Sequence, residues 1–331
     1  MEILTDLWLG TPLWMWLSFM AVVVLLLALD LGVLHRGSRE IGVRESLALS
    51  AFYITIGLAF GGWVWFQSGS ADALAYVTGF VVEKSLAMDN VFVIAMIFAA
   101  FAIPREYQHR VLFWGILGVI ILRAVMIAAG AALVENFGWV LYIFAAFLIY
   151  TGVQMWRTAD SHYDVMDSSV LKWLKRHLRV TEGLHAERFF VTASDSRTGK
   201  SALYVTPLFL ALLMVEFVDI VFAVDSIPAI FAITTDPFLV YTSNIFAILG
   251  LRALYFALAA MIHRFAYLKY ALAVLLVFIG SKIFVADALG LGKFPPAASL
   301  GVTFAILAIG VGWSLWKTGK SDHSQPAESK T

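Results

Sequence analysis

Long apolar runs separated by short polar segments make up most of this chain of 331 residues. Nine of these runs reach the roughly 20 residues that a helix needs to cross the hydrocarbon core of a bilayer. We place them at about 12–34, 45–67, 74–102, 110–134, 138–156, 203–231, 241–262, 267–288 and 296–317. The pattern therefore predicts an all-α, polytopic membrane protein with about nine transmembrane helices.

Composition and charge support this interpretation and add an orientation. Hydrophobic residues make up 61% of the chain and charged residues only 14%, against about 25% charged in soluble proteins. Eighteen Lys and Arg residues fall in one set of loops and only Lys293 in the other. Since basic loops stay in the cytoplasm, we expect the N-terminus outside and the C-terminus in the cytoplasm. The net charge of zero gives no indication of a nucleic-acid partner.

The chain also contains an internal repeat. LVENFGWVLYIFAAFLIYTGVQMW (133–156) aligns with MIHRFAYLKYALAVLLVFIGSKIF (261–284), and EKSLAMDNVFVI (83–94) aligns with DIVFAVDSIPAI (219–230). The second alignment matches acids with acids at membrane depth. Each repeat unit covers three spans, and an odd number of spans turns the second copy upside down. This is the inverted-repeat organisation of many secondary transporters.

These patterns divide the chain into four parts. Two polar segments flank the second half of the membrane domain. The first is a long loop that contains a short amphipathic helix, and this helix is predicted to lie on the membrane surface. The second is a tail that is predicted to be disordered. The parts are a membrane domain of spans 1–5 (1–156, first repeat about 74–156), a cytoplasmic loop (157–202), a membrane domain of spans 6–9 (203–317, second repeat about 203–288) and the tail (318–331).

Eight ionisable residues fall well inside the spans, where each charge costs from about 3 to more than 10 kcal/mol. The acids are Glu83, Asp89, Glu216, Asp219 and Asp225, and the bases are Lys84, Arg123 and Arg252. Mutual ion pairing that only fixes helix packing is one interpretation. Five acids against three bases leave a charge of −2, however, which suits a divalent cation or shared protons. We favour a cation site in which the bases organise the carboxylates.

A proline follows the last acid of span 6. Asp219 and Asp225 are six residues apart and would not converge on an ideal helix. Pro228 removes one backbone N–H and clashes with the carbonyl of Val224. We therefore expect a break in span 6 at Pro228, which would let Asp225 face Asp89 across the membrane midplane.

The donor types narrow the choice of ion. The chain has no Cys, and all of its 7 His residues lie in predicted cytoplasmic segments. Carboxylate, amide and backbone oxygens suit Mg²⁺, Ca²⁺ or Mn²⁺ rather than Zn²⁺ or Cu⁺. Met88 and Met214 lie near the acids, where a thioether would favour Mn²⁺ over harder ions, but packing between helices is the favoured explanation for them. Asn90, Ser226 and Asp30 are secondary ligand candidates.

Three stretches of the chain resemble the TerC family of integral membrane proteins, in its Alx-like branch. They are EKSLAMDNVFV, VEFVDIVFAVDSIPAIFAITTDPF and TSNIFAILGLRALYF. The resemblance implies a bacterial inner-membrane protein of a family linked to tellurium resistance and to manganese efflux. The family's acidic motif residues fall on Glu83, Asp89, Asn90, Glu216, Asp219, Asp225 and Ser226.

The leading hypothesis is a Mn²⁺ exporter that works by alternating access, with Asp89 and Asp225 as central ligands. Its partners would be the bilayer, the transported divalent cation and protons as a candidate coupling ion, without a prosthetic group or enzymatic activity. The alternative is a stress-response or tellurium-resistance scaffold, or a redox-modulating protein, that does not transport. The absence of Cys and of a dinucleotide-binding fingerprint gives the redox alternative no chemical support.

Overall fold

The computed structural model describes residues 5–32, 42–159, 168–194, 201–259, 267–291 and 294–322. Helices dominate these segments, and two antiparallel hairpins, β1 with β2 and β3 with β4, are the strands. The helices are α1 (Leu13–Gly32), α2 (Val43–Ser68), α3 (Ser70–Ala100), α4 (Arg105–Asn136), α5 (Val140–Arg157), α6 (Ser169–His177), α7 (Pro207–Phe231), α8 (Pro237–Leu249), α9 (Leu251–Ala259), α10 (Leu268–Ala288) and α11 (Pro296–Asp322). The strands are β1 (Leu7–Trp8), β2 (Thr11–Pro12), β3 (Phe190–Ser194) and β4 (Ser201–Val205).

Six of the described helices, α2, α4, α5, α7, α10 and α11, are long and apolar enough to cross a membrane. The pair α8 and α9 makes a seventh if it is counted as one bent span. The helix α1 coincides with the first predicted span, and its residues Leu13–Leu29 form a shorter apolar helix. The helix α3 has ample length, 31 residues, but carries Glu83, Lys84 and Asp89. The prediction of an all-α, multi-span architecture is confirmed.

Helices α5 and α10 approach each other through two glycines. A Cβ atom built on Gly152 would lie 2.7 Å from the carbonyl oxygen of Ala273, and one built on Gly280 would lie 2.5 Å from the carbonyl oxygen of Ala145. Early residues of α5 therefore contact late residues of α10, which makes the two helices antiparallel. The alignment of 133–156 with 261–284 matches Gly152 with Gly280 and Ala145 with Ala273, so each contact is the counterpart of the other.

The break in a span lies between α8 and α9, not at Pro228. Helix α7 continues through Pro228 to Phe231, so the prediction of an interrupted span 6 is wrong. Because Pro228 is close to the C-terminal end of α7, its missing N–H removes one hydrogen bond from the last turns only. Helices α8 and α9 instead meet at an angle of 42° on either side of Gly250.

The segment between α5 and α7 contains a small folded unit where the sequence predicts a linker. Helix α6 forms where the amphipathic pattern places it, but Leu171 and Leu174 are buried with residues at the start of α7. Its apolar face is therefore covered by protein rather than available to the membrane surface. At the other end of the chain, α11 extends to Asp322, past the predicted start of the tail at 318.

We expect Gly152→Ala to destabilise the protein, because the added methyl group would overlap the backbone of Ala273. Overpacking of this kind costs about 1–3 kcal/mol and should lower the midpoint of thermal unfolding in detergent. Gly312→Ala is the matched control, because Gly312 is also helical but has no atom within 4 Å of an added Cβ. Equal midpoints for the two variants would contradict the close contact between α5 and α10.

Candidate functional site

A buried guanidinium joins four helices at the centre of the bundle. Arg123 of α4 is 2% exposed, and its Nη1 lies 2.6 Å from Oε1 of Glu83 on α3. The same nitrogen donates to Ser226 Oγ on α7 at 3.1 Å and to Asn244 Oδ1 on α8 at 2.8 Å. These residues come from four separate spans, so helix propensity does not bring them together. They converge because each polar side chain needs a polar partner in an apolar interior.

A second polar contact links α3 to α7 directly. The side-chain amide of Asn90 donates to Asp219 Oδ1 at 3.3 Å, and both residues are buried. Asn90 follows Asp89 in the chain, and Asp219 lies two turns before Asp225 on α7. The two acidic stretches that the internal repeat matches are therefore neighbours in space.

The remaining acids of these stretches meet at one small cavity of about 40 Å³. Its polar lining consists of Glu83, Asp89, Asn90, Arg123, Asp225 and Ser226. Leu86, Met155, Phe222 and Leu276 form its apolar walls. Within the described residues, neither Asp89 nor Asp225 has a hydrogen bond or a close ion pair, and Lys269 of α10 is the cation whose charge acts on Asp89. The cavity is large enough for one water molecule or ion, which needs roughly 10–15 Å³.

Glu216 lies apart from this cavity. Its carboxylate lies against Gly118 of α4, in the space that a Cβ atom at position 118 would occupy, and its Oε2 is buried without a hydrogen bond. Of the predicted ligands, the structure thus brings five to the cavity, joins Asp219 to them through Asn90 and leaves Glu216 outside. In the described ranges, no group of three or more His, Cys, Asp or Glu residues is arranged to hold a metal ion.

The three bases occupy different environments. Arg123 pairs with a carboxylate, as the charge pattern predicts. Lys84 instead donates to the backbone carbonyl of Ala247 at 3.0 Å and lies against Gly250, at the bend between α8 and α9. An ammonium group is favourable there because the last carbonyls of α8 carry the negative end of its dipole. Arg252 is buried in the first turn of α9.

Sequence analysis missed two residues of this site. Asn244 binds Arg123, and the polar triplet TSN inside an apolar span was a signal for it. Met155 lines the cavity, and nothing in its local sequence indicates that position. Met88 and Met214, which the sequence did single out, pack in apolar clusters instead. The side chain of Asp30 lies outside the described residues.

We expect Arg123→Leu to lower the free energy of unfolding by about 3–5 kcal/mol, because it leaves Glu83 as an unpaired buried charge. The double variant Glu83→Leu, Arg123→Leu should lose less than the sum of the two single changes, as measured by SDS-induced unfolding in micelles. Glu187→Gln is the control. It breaks the partly exposed pair between Arg110 and Glu187 at 3.4 Å, which should cost less than about 1 kcal/mol. Additive losses at Glu83 and Arg123 would contradict their coupling.

Comparison with known proteins identifies the group to which this chain belongs. The family model for integral membrane proteins of the TerC family matches residues 68–322. A protein of Rickettsia bellii (strain RML369-C), described only as a membrane protein, is 47% identical over 296 residues, which cover 89% of this chain and 95% of that protein.

A second relative has a more specific description. Alx of Escherichia coli (strain K12), for which a role as a membrane-bound redox modulator is suggested, is 46% identical over 322 residues, covering 95% of this chain and 97% of its own. No solved structure matches the chain. The chain is therefore a member of the TerC family of integral membrane proteins.

Proposed function

We propose that this protein exports a divalent metal cation by alternating access, and that Mn²⁺ is its main substrate. One observation carries the proposal: Asp89 of α3 and Asp225 of α7 line the same small cavity, and within the described residues neither has a hydrogen bond or a close ion pair. Two carboxylates at membrane depth without a cation in contact with them are costly. A bound divalent cation removes that cost, because it supplies the two positive charges that the cavity lacks.

The charge balance supports this assignment. Glu83 and Arg123 neutralise each other, which leaves Asp89 and Asp225 with a charge of −2 at the cavity. Asn90 and Ser226 add neutral oxygen ligands, and such donors suit Mg²⁺, Ca²⁺ or Mn²⁺. Glu216 and Asp219 would act along the path to the cavity rather than in its first ligand shell. Protons are the proposed coupling ion, since a carboxylate that releases its metal ion can bind one. The mechanism needs no prosthetic group.

The two repeats supply a means of alternating access. We propose about nine spans, with α3, α4 and α5 forming one unit and α7, the pair α8–α9 and α10 forming its inverted copy. The reciprocal glycine contacts between α5 and α10 support this arrangement, because a twofold axis between two antiparallel helices produces such pairs. The packing of α3 on α8 and of α4 on α7 supports it as well. The cavity would lie where the two units meet.

A structural scaffold remains the contrasting interpretation, because Arg123 and its partners clearly hold helices together. The redox role suggested for the relative from Escherichia coli finds little support in these residues, since the chain has no Cys for thiol chemistry.

The purified protein in proteoliposomes should transport Mn²⁺, and Asp89→Asn and Asp225→Asn should each abolish the flux while the variants remain folded. The reason is that each change removes one of the two negative charges at the cavity. Asp287→Asn is the control, because Asp287 is an exposed acid on a spanning helix, α10, and does not line the cavity. Folded variants with wild-type flux would refute the transport site. Loss of folded protein in both would favour the scaffold.

We also propose that the protein lies in the bacterial inner membrane with its N-terminus outside and its C-terminus in the cytoplasm. The absence of Cys makes the orientation directly measurable. In spheroplasts, Ser70→Cys, at the N-terminal end of α3, should react with a membrane-impermeant maleimide. Thr192→Cys, in β3, should react only after the membrane is permeabilised. The reverse labelling would overturn this orientation.

A further inference from the structure

A thioether shares the cavity with the carboxylates. Met155 of α5 lines the cavity together with Asp89 and Asp225, whereas the other apolar wall residues, Leu86, Phe222 and Leu276, have no donor atom. Met155 is partly buried and packs against the apolar cluster that includes Leu148 and Ala229, so its side chain faces the interior of the bundle. A sulfur atom therefore belongs to the surroundings of any ion held there.

The close contact of α5 with α10 holds Met155 in this place. Gly152 is one turn before Met155, and the missing side chain at Gly152 lets α5 approach the backbone of Ala273. A larger residue at 152 would push the end of α5 outward and carry Met155 away from α3 and α7. The internal repeat does not place a second sulfur on the opposite side, because Ile283 is the residue of α10 that aligns with Met155.

The donor chemistry then discriminates between ions. Mg²⁺ and Ca²⁺ are hard cations that bind oxygen ligands, and Mg²⁺ requires near-ideal octahedral geometry. The thioether sulfur is soft and polarisable, so it adds little to the binding of a hard cation and prevents a water oxygen from taking its position. First-row transition ions accept a sulfur ligand more readily, so they lose less binding free energy when a thioether takes the place of an oxygen ligand.

We propose that Met155 is a specificity-determining residue, which makes the cavity select a divalent transition-metal ion over Mg²⁺ and Ca²⁺. This inference rests on the proposed transport function and goes beyond it, since the carboxylates alone would accept all three ions. The sulfur acts from one wall of the cavity, while Asp89 and Asp225 supply the charge. The remaining methionines near the acids do not take this role: Met214 is fully buried in an apolar cluster, and Met88 packs against it.

The test is competition in proteoliposomes. Mn²⁺ uptake by the wild-type protein is measured in the presence of rising Mg²⁺ or Ca²⁺, and Cd²⁺ serves as a soft competitor. In Met155→Leu, which preserves the volume of the side chain, the excess of Mg²⁺ needed to halve Mn²⁺ uptake should fall about tenfold, and inhibition by Cd²⁺ should weaken. Met88→Leu is the matched control, because it makes the same change on α3 outside the cavity.

A second variant separates the effect of sulfur from that of side-chain volume. Met155→Cys is smaller but keeps a sulfur atom, so it should retain the preference for Mn²⁺ over Mg²⁺. If Met155→Leu does not give monodisperse protein, Met155→Cys is the variant on which the competition is measured. If a folded Met155→Leu variant shows unchanged competition by Mg²⁺, the role of the thioether is overturned. The same follows if both Met155 variants lose the preference for Mn²⁺ over Mg²⁺ equally. Either result leaves the transport function intact. A wild-type protein that moves no metal overturns the transport function and this inference together.

Discussion

The ion pair between Arg123 and Glu83 is the interaction on which the rest of the membrane domain depends. Both side chains are almost fully buried, and neither charge is tolerable alone among apolar helices. The guanidinium Nη1 also contacts Ser226 and Asn244, so four helices must converge on one point for this nitrogen to reach its three partners. This requirement fixes the relative positions of α3, α4, α7 and α8 more strictly than apolar packing could, because apolar contacts have little directional preference.

The pairing also determines what the other charged groups can do. Since Glu83 is committed to Arg123, the cavity beside it retains Asp89 and Asp225 as its unneutralised charges. Lys84, the neighbour of Glu83, points away from these carboxylates and stabilises the end of α8. Glycines complete the arrangement: Gly152 and Gly280 bring α5 and α10 together, and this contact brings Met155 to the acids. Each polar group of the site is thus placed by a contact between helices that are distant in sequence.

The bent span shows how sequence signals can mislead. Pro228 was the obvious helix breaker, but it lies in the last turns of α7, where one missing hydrogen bond has little consequence. The bend occurs at Gly250, and the stretch ILGLRA around it is three residues shorter than the similar stretch ILGVIILRA of α4. That difference is nearly one helical turn. Helix α4 continues without interruption through its stretch, whereas α8 and α9 meet at 42° beside Gly250.

The sequence by itself determined the class of protein, most of the span positions and the two acidic stretches, because these depend on hydropathy and on the rarity of charges in apolar segments. The family was indicated by the resemblance of three sequence stretches. The tertiary structure alone decided which acid is neutralised, that Glu216 lies away from the cavity, that Asn244 binds Arg123 and that Met155 lines the cavity. The physical reason is that periodicity specifies how a helix faces the interior but not which residue of another helix lies opposite. That second choice is made by shape at glycine contacts and by the pairing of buried charges.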